Sequence, residues 1–214
     1  MSFITIPAAV GLILLRRPII QVLFQHGHFT AISTLLTANA LLYYSIGLPA
    51  FAAIKLITPV FFSTQDTMTP ARIGFYSLVA NIVFNALFLL LLYRFLSNGG
   101  PALASSLAAY FNFTLLLFTF RGRFGNLDVP GFAVSFAKIA LSTLAMAGVA
   151  YECLRHSNFA VVQQFLSQAG LLAVLIAVSI GAYFGVAWLL RSEELSEFVL
   201  ILRRGERGGA AVAG

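Results

Sequence analysis

Residues 31–63 run for 33 positions with a single charge, Lys55, and close on the polar turn STQDTMTP. A helix crosses the roughly 30 Å hydrocarbon core of a bilayer with about 20 apolar residues. The segments 73–93, 101–120, 129–151 and 169–190 have the same length and character. Residues of the apolar class make up 60% of the chain and charged ones 9%, against about 45–50% and about 25% in soluble domains. A water-soluble core cannot absorb that excess. The solvent is therefore a bilayer, and the chain reads as an all-α polytopic membrane helix bundle.

A sixth segment, 3–15, meets Arg16-Arg17-Pro18 after about 13 residues, too few to cross alone. It has no basic lead-in and no small-residue cleavage site, so it is not a signal peptide. It completes a span either by continuing through Pro18 to Phe24 or with residues preceding Met1, and the second is the reading taken. About six transmembrane helices result. Short punctuated turns join them. Thr69-Pro70 reads as an N-cap and first-turn pair, Asn98-Gly99-Gly100-Pro101 as a turn, and Asp128-Val129-Pro130-Gly131 as the start of the fifth helix.

Counting Lys and Arg by side orients the bundle. Arg16, Arg17, Arg94 and Arg155 fall on one side; Arg72, Arg121, Arg123, Arg191, Arg203, Arg204 and Arg207 fall on the other. The richer side should be cytoplasmic, with both chain ends. The net charge of +6 is explained by this topology and does not point to nucleic acid. The lone Cys153 excludes an internal disulfide. His26 and His28 flank a Gly with no third ligand nearby, so no metal is expected. No cofactor motif appears. Within the spans there is no HExxH, paired carboxylate, GxSxG or Walker loop, so the chain is not read as an enzyme.

The informative stretch is GLPAFAAIKLITPVFFSTQDTMTP, residues 47–70. An unpaired Lys at mid-helix costs about 2.5–3.5 kcal/mol on insertion scales. Lys55 lies about eight residues from the end of its span, about 12 Å deep at 1.5 Å per residue. Pro59 removes the amide that would bond the Lys55 carbonyl, and Pro49 does the same to Ser45. Freed backbone at membrane depth is tolerated in protein or against a watery cavity. Lys55 is thus either a cavity cation or a snorkelling Lys on a kinked helix; the cavity reading is preferred. Pro49 and Pro59 become hinge candidates. Lys138, about nine residues into its span, carries the same two readings. Ser77, Asn81 and Asn85, spaced by four, form a polar stripe that joins helices or lines a cavity. Ala102, Ser105, Ser106 and Ala109 form a small-residue packing face, with Asn112 alongside. Asp66 pairs with Arg72, caps a turn or takes part in gating.

The run GLPAFAAIKLITPVFFSTQDTMTPARI, with PIIQVLFQHGHFT before it and GGPALASSLAAYFN after it, resembles the MurJ/MviN lipid II flippases over about residues 5–122. His26 and His28 depart from the usual polar and small residues there. The resemblance implies a partial exporter-type lobe: four helices over 1–122, two extra helices over 123–192 bordering a lipid-tail groove, and a cytoplasmic tail over 193–214. It implies a flippase, or a C-terminal fragment of one, moving the lipid-linked peptidoglycan precursor to the periplasmic leaflet of the bacterial inner membrane. The implied partners are lipid II, membrane lipids and the missing N-terminal helices. The alternatives are a related polysaccharide or drug exporter and a non-transporting membrane assembly module.

Overall fold

The computed structural model describes residues 1–25, 29–91, 97–125, 129–157 and 165–190. His26, His28, Arg94, Asp128 and the tail with Arg191, Arg203, Arg204 and Arg207 lie outside them. Six long helices follow in order: α1 (Ser2–Phe24), α2 (Ala31–Ser63), α3 (Met68–Leu91), α4 (Gly100–Phe124), α5 (Val129–His156) and α6 (Phe165–Leu189). Each is long and apolar enough to cross a membrane.

The first helix does not stop at Arg16-Arg17-Pro18, as the expected short segment of about 13 residues had it, but continues through Pro18 to Phe24. It runs unbroken for 23 residues through Pro7 and Pro18, about 34 Å at 1.5 Å per residue. Pro18 deprives the Leu14 carbonyl of its amide. One residue earlier, Arg16 Nη1 donates to the Ile13 carbonyl at 2.7 Å. The guanidinium thus turns back onto its own helix beside the break. Arg16 and Arg17 therefore lie inside the helix and not at its end.

The helices pack as a row: α3 on α4, α4 on α2, α2 on α1, and α1 on the α5–α6 pair. Contacts fix the directions. Phe61 of α2 clusters with Leu116 of α4, and Tyr43 of α2 accepts from Ser106, so α2 and α4 run parallel. Phe3 and Val22 of α1 meet Tyr183 and Leu172 of α6, so that pair is antiparallel. The Tyr183 hydroxyl donates to the Phe3 carbonyl at 2.7 Å, buried 180 residues away in sequence.

The core is a set of small clusters and not one central mass. Phe3, Ile139, Met146, Tyr183 and Ala187 form one, Val22, Leu172 and Leu175 a second, and Phe61, Ile73 and Leu116 a third. Large apolar side chains such as Leu90, Phe118 and Leu166 stay exposed, as lipid-facing residues do. Without a hydrophobic drive between membrane helices, close contact comes from small residues. The α2–α4 seam shows this: Gly47, Ala50, Ala102, Ser106 and Ala109 are all buried. A Cβ on Gly47 would lie 2.5 Å from Ser106 Oγ, so the backbones meet there because Gly47 lacks one. Gly99, in the 3-10 turn before α4, leaves similar room for the Tyr43 ring.

Candidate functional site

α2 touches α1 and α4 on opposite sides. By helical spacing, Tyr43, Gly47, Ile54 and Phe61 face α4, and Thr34, Ala38 and Ser45 face α1. Two edges remain. One carries Tyr44, Phe51, Lys55 and Phe62, all exposed. The opposite edge carries Ile46 and Pro49. Lys55 therefore stands on an open, aromatic-rich edge of a helix fixed on both flanks. Lys138 is half-buried on α5, beside the buried Ile139. Lys138 sits on α5 at one end of the row, and Lys55 on α2 within it.

The polar stripe on α3 is drawn into helix contacts. Asn81 Nδ2 donates to Ser105 Oγ on α4 at 3.3 Å. Asn85 Nδ2 donates to the Asn81 carbonyl at 2.9 Å and to its Oδ1 at 3.0 Å. Ser77 is buried and donates to the Ile73 carbonyl of its own helix at 2.8 Å. Ser105 thus faces α3, whereas its neighbour Ser106 faces α2. The four small residues do not share one face.

The turn after α2 is built in two steps. Asp66 N–H donates to the Phe61 carbonyl and Gln65 N–H to Phe62, both at 3.0 Å. This pairing caps the helix end with Gln65 in the left-handed region, at φ 59, a place that Gly or Asn usually takes. The chain then reverses, and Asp66 captures the start of α3. Its Oδ1 accepts the Thr69 amide at 2.9 Å and its Oδ2 accepts the Thr69 hydroxyl at 2.6 Å. Because α3 begins at Met68, the cap is Asp66, and Thr69-Pro70 lie inside the first turn. Asp66 Oδ2 also accepts from Arg123 Nη1 at the end of α4. Arg72 is exposed and is not its partner. The ion pair links the α2–α3 turn to α4 across 57 positions.

The hydroxyl and amide of Thr69, and then Arg123, hold the Asp66 carboxyl below its ordinary range, against partial desolvation. A depressed folded value contributes stability above the unfolded pKa, and that contribution is lost as pH falls through the folded one. Asp66→Asn is therefore expected to lower the thermal midpoint of the detergent-solubilised chain at pH 7. The gap from wild type should close as pH falls below about 3.9, the ordinary Asp value. An equal gap at both pH values would exclude the carboxylate as the cause.

An apolar groove of about 440 Å³ lies between α1, α5 and α6, with Pro7, Leu12, Ile19, Met146, Ile180 and Phe184 in its wall. Ser179 also lines it, but its hydroxyl is spent on the Leu175 carbonyl at 2.7 Å. Such a wall suits a hydrocarbon chain and offers nothing to a polar group. Among the described residues, no cluster of His, Cys, Asp and Glu could hold a metal.

Fold and site together define a multi-pass membrane helix bundle, with Lys55 on an open edge of α2 and an apolar groove between α1, α5 and α6. The family model for "Lipid II flippase MurJ" matches residues 1–170, beyond the stretch of about 5–122 that carries the sequence motifs. A probable lipid II flippase MurJ of Rhizobium meliloti is 32% identical over 213 residues, covering 98% of this chain and 38% of the relative. One from Rickettsia prowazekii is 31% identical over 191 residues, covering 88% and 36%. A solved structure described as lipid II flippase MurJ in an inward closed conformation matches with TM-score 0.71 and 28% identity, covering 88% of this chain and 36% of that one. This chain belongs to the lipid II flippase MurJ family. It spans little more than a third of the length of these relatives.

Proposed function

We propose that the chain forms the C-terminal part of a lipid II flippase that moves the undecaprenyl-diphosphate-linked precursor from the cytoplasmic to the periplasmic leaflet of a bacterial inner membrane. The observation that carries this reading is Lys55, exposed at membrane depth on a helix held between α1 and α4. A diphosphate headgroup needs a hydrated path with positive charge. A Lys supplies a point charge there without covalent chemistry, which fits transport and not catalysis. Lys138 is the second cation candidate. Asn81 and Asn85 stand in helix contacts first and at a cavity wall second.

The domain reading follows: 1–122 as four helices of a lobe, 123–192 as an added pair, and 193–214 as a cytoplasmic tail. The groove beside the added pair takes the lipid tail. With Arg16 and Arg17 inside α1, the poorer side keeps Arg94 and Arg155 against the seven arginines opposite. This supports cytoplasmic placement of both ends and of the Asp66 turn. There, Asp66 and Arg123 tie one helix turn to another at the mouth of the path, as a gate element would, and Pro59 is the bend nearest to it. Helices preceding this chain in its longer relatives are the partners that complete the cavity.

Grafting residues 1–190 onto the preceding helices of the Rhizobium meliloti relative tests this reading. The chimera is expected to sustain growth of cells depleted of their own flippase. Failure of a stably inserted chimera would count against it, and so would rescue of a drug-export defect in its place.

A further inference from the structure

We propose that Ser106 and Tyr110 are positioning residues that brace the turn of α2 opened by Pro49, so that bending of α2 is confined to the Pro59 turn. The inference rests on the α2–α4 geometry and holds whichever lipid is carried.

Pro49 has no amide to give to the Ser45 carbonyl. The carbonyls on either side of that gap each take a hydroxyl from α4. Ser106 Oγ donates to Tyr43 at 2.6 Å, and Tyr110 Oη donates to Ile46 at 2.9 Å. The two donors are four residues apart, hence on one face of α4. Most Ser and Thr hydroxyls of these helices turn back onto their own helix, as Ser45 does to Leu41, Ser142 to Lys138 and Thr114 to Tyr110, and Tyr183 crosses to α1 far from any α2 break. Ser106 and Tyr110 cross to a neighbour instead, at the turn where α2 has lost a bond. Neither hydroxyl reaches the freed Ser45 carbonyl itself; together they tie the backbone before and after it to α4. Gly47 directly follows the second bonded carbonyl, and its bare Cα lets α4 come close enough for both bonds.

Pro59 is different. It frees the Lys55 carbonyl, and among the described residues no α4 side chain donates to the backbone of residues 54–58. Below it, Phe61 is fully buried and Asp66 is held by Arg123, so the cytoplasmic end is anchored as well. Lys55 sits six residues past the braced turn and four before the unbraced one. The brace keeps its edge of α2 in register with α4 from above, while the turn at Pro59 yields below.

Backbone hydrogen exchange of the full chain in lipid nanodiscs tests this. Tyr110→Phe combined with Ser106→Ala should speed exchange of the amides around residues 46–52 at least tenfold. With Pro49→Ala, which restores an amide donor, the same pair of changes should alter exchange less than twofold. Thr114→Val, which removes a hydroxyl bonded within α4, should leave residues 46–52 unchanged. In the unmodified chain, amides around Pro59 should exchange faster than those around Pro49. Unchanged exchange in the double variant would overturn the proposal. So would an equal rise with and without the proline, since the hydroxyls would then be ordinary seam contacts. Tyr110→Phe alone decides the matter should the double variant not be recovered, because the Tyr110 ring is partly exposed and its loss of one oxygen leaves the packing in place.

Discussion

Lys55→Ala in the chimeric flippase is expected to reduce precursor transport at least tenfold, and Lys138→Ala less than twofold. Lys55 is exposed on an edge of α2 whose flanks are both occupied, so its ammonium points away from the packed seams. A hydrogen bond to a charged group is worth about 1.5–3 kcal/mol, and 1.4 kcal/mol is tenfold in an equilibrium. Lys138 is half-buried beside the α5 core, a placement that suits a packed aliphatic stem with its charge reaching for the surface. Lys55→Arg should retain most activity if the requirement is a positive charge. Growth complementation at matched expression reads all three variants. Wild-type growth of Lys55→Ala would show that the charge is only a snorkelling one.

The largest expected loss of stability is at Gly47. Gly47→Ala gains about 1 kcal/mol of helix propensity, yet its Cβ would stand 2.5 Å from Ser106 Oγ and 2.8 Å from Ser106 Cβ. Overpacking a close seam costs about 1–3 kcal/mol, and here both partners sit near a backbone crossing. The steric term should win, with a lower thermal midpoint in detergent. Gly47→Val should be worse. Ser106→Gly should partly rescue Gly47→Ala by removing both close atoms. Gly170→Ala and Gly181→Ala, where nothing lies within 4 Å, should instead gain the propensity. A Gly47→Ala protein as stable as these two would mean that the seam yields.

The spans were legible because apolar length is a local property, and α2 was readable to the residue at 31–63. The first helix was misjudged for a local reason as well. Arg16-Arg17-Pro18 has the marks of a span end, but a guanidinium can fold onto its own helix at Ile13, and flanking helices tolerate the proline. Asp66 was visible as a turn residue. Its partner Arg123 lies 57 positions away, so only the parallel packing of α2 and α4 reveals the pair. Ser105 and Ser106 were read as one small-residue face. Adjacent helix positions are about 100° apart, which sends one to α3 and the other to α2. The groove is a gap between three helices from distant segments, so no local pattern marks it and only the family resemblance implied one.

The central claim is that this chain belongs to a machine that carries an anionic lipid-linked precursor past Lys55. The most direct test is the fraction of lipid II open to a membrane-impermeant reagent on the outer face of cells that depend on the chimera. Outward lipid II is expected with the chimera, and its collapse, at unchanged protein level, with Lys55→Ala. Lipid II that stays on the inner face of cells with the unmodified chimera correctly inserted would contradict it.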